Sequence, residues 1–308
     1  MPVVTVRDAH HSDAFAIGEV SAAAVPHVVQ TSERVAADMD DDIRLGRRRW
    51  VALLDDEVAG TATARQVTER LGERHLFLAV QVRPEWGSQG VGTHLLLTAA
   101  GAFPGSTRLL AVADGGPISL SFAVRNGFLP EGEQPVALLD PRSVSAAPTP
   151  GAGLRPVTLE ALPDLRMLLE THNLATAADP GQRRLTMYQL RSEWWDRPGN
   201  APELSWGLLA AGRTGPVLAA FTSVHVDLER GRAWSRMTAT HPSYRGRGLA
   251  QWVKRRTLVS LAAAGVTQAW APIPADNTSM LAVNEALGYK PAATSIRLRR
   301  RIRLTRQE

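Results

Sequence analysis

The chain contains no cysteine. Disulfides, thiolate metal sites and a cysteine nucleophile are therefore excluded. No apolar run approaches the roughly 20 residues needed to span a bilayer. The opening Met1-Pro2-Val3-Val4-Thr5-Val6-Arg7-Asp8 lacks the basic and apolar regions of a signal peptide. These absences predict a cytoplasmic protein without a membrane partner. A dispersed positive surface is also missing. The net charge of +5 is matched by Ile296 to Glu308 alone, which hold six arginines and one glutamate. In that tail Ile296, Leu298, Ile302 and Leu304 alternate with Arg297, Arg299, Arg301 and Arg303, the period of a half-buried strand. A terminal strand with a solvated arginine face is the simpler reading, and a docking surface for an acidic partner or an RNA is the other. Nucleic acid is not the expected partner.

What is present is a globular composition, 44% hydrophobic and 21% charged over 308 residues, about two ordinary domains. A breaker-rich stretch from Pro141 to Gly153 has linker composition and falls near the midpoint. It predicts domains at 1–140 and 154–308. Landmarks recur in order on either side: Arg7 and Arg155 (148 residues apart), Gly90 and Gly248 (158), Gly127 and Gly288 (161). Near-constant spacing points to a duplication.

In the second half Leu204 to Leu209, Val217 to Asp227 and Ala233 to Thr240 read as consecutive strands. A helix over Gly248 to Ala264, a strand over Val266 to Ala271 and a helix over Ser279 to Leu287 follow, the last with Ser279 or Thr278 as N-cap. The first half repeats this with strands at Trp50 to Leu54, Val58 to Thr68 and His75 to Val82, a helix from Gly90, and a strand at Leu109 to Val112. Antiparallel strands passing into a parallel strand–helix–strand unit predict a mixed α/β class, α+β-like, with a mostly antiparallel sheet flanked by helices in each half.

The most informative stretch is Arg245-Gly246-Arg247-Gly248-Leu249-Ala250, which joins a strand to a helix. A glycine-rich turn opening a helix offers free N–H groups to an anion. Glycine at 246 and 248 lets the main chain approach closely. Arg245 and Arg247 add charge-assisted contacts. No Lys-Ser or Lys-Thr follows, so this is not a Walker loop, and the third glycine of a dinucleotide fingerprint is missing. The first half holds a weaker copy, Gly87-Ser88-Gln89-Gly90-Val91-Gly92.

These residues resemble the GCN5-related N-acetyltransferase (GNAT) superfamily in tandem form. Its signature, Arg/Gln-x-x-Gly-x-Gly/Ala after the fourth strand, is matched by Arg245, Gly248 and Ala250, preceded by Pro242 and Tyr244. Asn277 to Tyr289 looks like the later coenzyme A-contacting segment, in a variant similar to mycothiol synthase-like acetyltransferases. The resemblance implies acetyl-CoA as co-substrate and no metal. It implies coenzyme contacts at Thr238, Ala239, Thr240, Arg245, Gly246, Arg247, Gly248, Leu249, Ala250, Asn277 and Asn284, and in the first half at Val82, Gln89, Gly90, Val91 and Gly92. Gly87 and Ser88 depart from the pattern, so the first half is expected to be degenerate.

The resemblance further implies direct attack of an amine on the thioester, with an oxyanion donor around Met237 to Thr240. The family's usual tyrosine acid is absent, because Ala123 and Asn284 occupy its places. His225 and Asp227 share one strand face and form a candidate relay, beside the alternative of a half-buried strand histidine. Glu203, His241 and Glu285 are further acid–base candidates, His241 also having a turn role open to it. Tyr188, Trp194 and Trp195 are expected to wall the acceptor pocket or to pack a helix on the core. Asp38, Asp40, Asp41 and Asp42 form an acid cluster that either attracts a cation or makes a solvated face. The predicted protein is a monomeric or homodimeric N-acetyltransferase acting on a primary amine of a small molecule. A non-catalytic acyl-CoA-binding protein and a peptide acetyltransferase are the alternatives.

Overall fold

The computed structural model describes residues 3–68, 73–177, 184–213, 215–273 and 277–301. The first half runs β1 (Thr5–Asp8), α1 (Ala14–Ala24), α2 (Ser32–Asp40), β2 (Arg47–Leu54), β3 (Glu57–Thr68), β4 (Arg74–Val82), α3 (Val91–Gly101), β5 (Arg108–Asp114), α4 (Pro117–Arg125) and β6 (Leu129–Leu139). The second half follows with β7 (Leu154–Thr158), α5 (Arg166–Ala175), α6 (Met187–Leu190), a π-helical turn at Arg191–Trp195, β8 (Trp206–Ala211), β9 (Pro216–Asp227) and β10 (Arg232–Thr240). It ends with α7 (Leu249–Ala263), β11 (Gln268–Pro272), α8 (Thr278–Leu287) and β12 (Lys290–Arg301).

The chain forms two compact units, and their boundary differs from a simple cut at the linker. One unit takes the chain up to Pro135 together with Ala293 onward, and the other takes Val136 to Ala292. The expected division assigned everything from 154 on to the second domain, yet β12 packs with the first unit. Ser295 to Arg301 pairs antiparallel with Asp114 to Arg108 of β5, and Ile296 and Leu298 enter the first unit's core with Leu76, Leu95 and Leu109. Reciprocally, Val136 to Leu139 of β6 pairs with β11 in the second unit. The arginines of β12 form the expected outer face, with Arg297 and Arg301 exposed and Arg299 paired at the surface with Glu131 of β6 at 3.0 Å. The rest of the expected terminal strand, Ile302, Arg303 and Leu304, lies outside the described residues.

The first unit's sheet is antiparallel from β1 through β4, and β4 then pairs parallel with β5 over His75–Leu78 and Arg108–Ala111. The second unit repeats this. Its β7, β8, β9 and β10 are antiparallel, and β10 meets β11 in parallel over Arg232–Trp234 and Gln268–Trp270. Beyond these short parallel contacts β4 and β10 part from their neighbours, so each sheet is forked.

Both faces of the second sheet are covered. Leu258 and Leu261 of α7 pack on Val224 and Val226 of β9. Leu168 of α5, Leu190 and Trp194 pack on Phe221 of β9 and Ala239 of β10. Alternation along β9 thus turns Thr222, Val224 and Val226 toward α7, and Phe221, Ser223, His225 and Asp227 toward α5. Helix α8 starts at Thr278, so neither Thr278 nor Ser279 is its cap. Asn277 caps it instead, its side-chain oxygen accepting the Met280 N–H at 3.0 Å.

Candidate functional site

The site begins at an irregularity of β10. Its register with β9 is broken between Ser235 and Met237, so Arg236 is the extra residue of a bulge. The bulge lies just past Trp234, the last residue of β10 paired with β11. Strand β4 pairs with β3 in unbroken register and has no such bulge. The fork of the second unit therefore opens beside a distorted main chain, and that of the first does not.

From the fork β10 runs to Thr240 and then turns into α7. His241 opens the turn, with Nδ1 accepting the Ser243 N–H at 3.2 Å and its ring set edge-on to Tyr244. That is the turn role. Gly246 (φ 74) and Gly248 (φ 71) are both left-handed, and a β-carbon at either would meet nothing within 4 Å. Glycine is needed for conformation there, and open space lies in front of it. The N–H groups of Gly246, Arg247, Gly248, Leu249, Ala250 and Gln251 donate to no acceptor among the described residues. Six unengaged amides around the start of a 15-residue helix make a cradle whose donors suit an anion.

The flanking arginines are partly engaged. Arg245 donates to the Ala175 carbonyl at 2.8 Å and so ties the loop to the end of α5. Arg247 lies 5.2 Å over the Tyr244 ring and is exposed. Of the other expected coenzyme contacts, Thr238 is bonded to Thr222 on the α7 face, and Ala239 is buried against Phe221 on the opposite face. Thr240 is half-buried at the strand end, and Asn277 is spent on its cap. Asn284 differs: it is 2% exposed, and neither atom of its side-chain amide has a hydrogen-bond partner among the described residues. Buried amides are rarely left so unless something polar joins them.

A cavity of about 380 Å³ beside the loop is lined by Pro148 to Gly151, Arg247, Gly248 and Trp252. It sits beside the outer face of α7, toward β7 and β8, and not in the fork. The linker forms its wall, held by Trp252 Nε1 donating to the Pro148 carbonyl at 2.7 Å and by Arg255 donating to Ser145 at 2.8 Å.

On the opposite face the expected acid–base and acceptor residues separate. His225 lies across from Trp234, one row before the fork. Asp227 is buried and committed to Arg230, accepting from its guanidinium at 2.9 Å and its N–H at 3.1 Å. The carboxylate closes the β9–β10 turn rather than steering His225. Tyr188 is 65% exposed on α6, whereas Trp194 is 2% exposed, stacked under Arg236 and tilted against Phe221. Trp195 is half-buried at the rim of the same core. His172 of α5, not singled out from sequence, meets Trp194 edge-on at 5.9 Å, and burial lowers its pKa below the ordinary histidine value. The Trp194 Nε1 and Ser223 Oγ, on this face, are buried without hydrogen-bond partners among the described residues. Glu203 is exposed on the loop before β8, and Glu285 is exposed on α8.

The first unit has its own cradle. Gly90 (φ 87) caps α3, and Ser88 (φ 62) takes the left-handed conformation that glycine has at 246. The N–H groups from Ser88 to Gly92 make no internal hydrogen bond among the described residues, Gln89 and Val91 included. However, the Phe122 ring of α4 and the Val82 side chain crowd Gly92. The acid cluster of this unit is largely neutralised: Asp38 pairs with Arg34, Asp41 with Arg44, and Asp42 with both Arg47 and Arg49. It is therefore an ion-paired scaffold around α2. Among the described residues no group of three or more acidic or histidine side chains is arranged to hold a metal, and no helix is long and apolar enough to cross a membrane.

Comparison with known proteins agrees with this geometry. Residues 20–128 match the family model of the acetyltransferase (GNAT) family. That match is confined to the first half, and for the whole chain the fold is that of tandem GNAT proteins. A tandem GNAT protein from the clavulanic acid biosynthesis pathway aligns with a TM-score of 0.66 at 19% identity, over 97% of this chain and 98% of the other. A GCN5-related N-acetyltransferase from Sphaerobacter thermophilus gives 0.60 at 18%, over 97% and 95%. At such identities the likeness speaks for fold alone. No curated protein matches the sequence. The family match falls on the half whose loop departs further from the signature, so the standing of the second half rests on its geometry.

Proposed function

We propose that the second unit is an N-acetyltransferase that moves an acetyl group from acetyl-CoA to a primary amine of a small molecule. The observation that carries this reading is the run of six unengaged amides at Gly246–Gln251, set directly after a forked and bulged strand. The diphosphate of coenzyme A fits such a cradle, with the exposed Arg247 guanidinium, held only by Tyr244 and a long bond to the Ser243 carbonyl, beside it. Asn284 supplies buried amide groups for the coenzyme arm. The bulged main chain around Arg236 and Met237 supplies N–H donors for the oxyanion. Acceptor and coenzyme would meet at the fork from opposite faces. In this scheme His225 takes the proton from the amine on the α5 face, and Asp227 holds the turn.

The first unit is the structural or coenzyme-holding partner, because it keeps the amides but lacks the bulge and carries Phe122 against its cradle. A cytoplasmic location follows from the nature of the co-substrate. Calorimetric titration with acetyl-CoA tests the reading. Gly248→Val should abolish binding to the second unit, and unchanged affinity in a folded variant would overturn the assignment.

A further inference from the structure

Lys254 is buried in the second unit, 4% exposed, on the face of α7 turned toward the sheet. Its ammonium reaches Ser235 Oγ at 3.3 Å and lies 5.1 Å over the Tyr289 ring. Among the described residues no carboxylate pairs with it. Thr222, Ala233, Thr257 and Ala269 close the surroundings, leaving a space of about 10 Å³, near the minimum of roughly 10–15 Å³ for one water. Among the described residues the one titratable group facing it is Tyr289, which burial keeps neutral by raising its pKa. An unpaired buried ammonium is costly, and packing alone would be better served by methionine or leucine. Burial accordingly lowers its pKa to about 8.

The position of Lys254 gives that cost a use. Ser235 is the first residue past the β10–β11 pairing, so the ammonium stands at the apex of the fork. It is on the α7 face, six residues along the helix from Gly248, or roughly 9 Å of rise. A coenzyme gripped at the cradle and running down the fork brings its sulfur to this apex.

We propose that Lys254 is the acid that protonates the departing coenzyme A sulfur. The inference rests on the coenzyme reading above. As the amine nitrogen forms its bond to the carbonyl carbon, the oxyanion builds and then collapses. The C–S bond breaks, its electron pair goes to sulfur, and sulfur takes a proton from Lys254 Nζ. The neutral lysine then recovers a proton that the attacking nitrogen has released, so no other reactant is consumed. An acid with a pKa near 8 is well matched to a thiol near 8.5.

The test uses the complex of the full chain with coenzyme A, following the ultraviolet absorbance of its thiolate against pH. A neighbouring ammonium should lower the bound thiol's pKa by about one unit or more relative to the free coenzyme. Lys254→Met and Lys254→Gln should bind the coenzyme and lose that shift, which a purely packing lysine would not produce. A thiol that titrates identically in the wild type and both variants overturns the proposal while leaving coenzyme binding intact. A wild type that binds no coenzyme overturns the underlying reading as well. Thiol release during turnover is readable without protein background, since the chain has no cysteine. There kcat should fall about 100-fold in Lys254→Met with little change in KM for acetyl-CoA. The wild type's decline above about pH 8 should also be missing from the variant.

Discussion

The ring of Phe122 stands against Gly92: a β-carbon on residue 92 would lie 3.2 Å from its edge. In the second half Ala250 holds the matching place, beside two glycines that face open space. The two cradles thus offer the same amides but differ in what packs against the helical turn that follows their left-handed cap. One coenzyme equivalent per chain is the expected calorimetric stoichiometry, and Phe122→Ala should add a second, weaker site. Two equivalents in the wild type would show that the aromatic ring is no barrier.

His225 and Asp227 share a strand face but differ in company, which separates their variants. His225→Ala should lower kcat by about 100-fold or more and remove the acidic limb of the pH–rate profile. Asp227→Asn should instead weaken the fold, since it leaves Arg230 without its buried partner. Its pH profile should keep the wild-type shape. A relay would make both variants lose the same limb.

Lys254→Met should stabilise the protein even as it impairs turnover. The folded-state pKa of about 8 lies below the unfolded value of 10.5. The unfolded chain therefore holds the proton more tightly, and burial opposes folding most fully below about pH 8. The gap corresponds to stabilisation by the variant on the order of 3 kcal/mol at pH 7. The advantage should fade as pH rises toward 10.5, and denaturant unfolding at pH 7 and pH 10 measures it.

His27 and His172 give an acid-side dependence of the same sign. Burial lowers both below the ordinary value of 6.5. Their contribution is therefore intact above that pH and is lost as pH falls from it toward the depressed folded values. Denaturant midpoints should drop on acidification through this window, and His172→Asn should flatten the slope. An unchanged slope would mean that His172 does not set it.

Much of the fold was legible because breakers and alternation are local. Strands β9 and β10, helix α7 and the Gly248 cap lie within a residue or two of where periodicity and glycine put them. The bulge at Arg236 was not legible, since nothing in Ser235-Arg236-Met237 differs in composition from a regular strand. Neither was the burial of Lys254, where a charged residue on a basic helix reads as solvated until its neighbours are known. The aspartates of α2 and the turn after it gave a charge run, but their arginine partners on β2 emerge only in three dimensions. Trp194 and Tyr188, grouped by sequence, part because the π-helical turn rotates one inward and leaves the other in solvent. The destination of β12 required tertiary pairing, which no period along the chain encodes.

That last strand has a temporal consequence. Arg108 finds its partner at Arg301, so the earlier-made unit must wait for almost the whole polypeptide before its sheet is closed. Until then β5 presents a bare hydrogen-bonding edge, a site for mispairing in the nascent chain. A ribosome stalled just after residue 292 should accordingly yield a product that is far more prone to aggregate than its missing length alone would suggest.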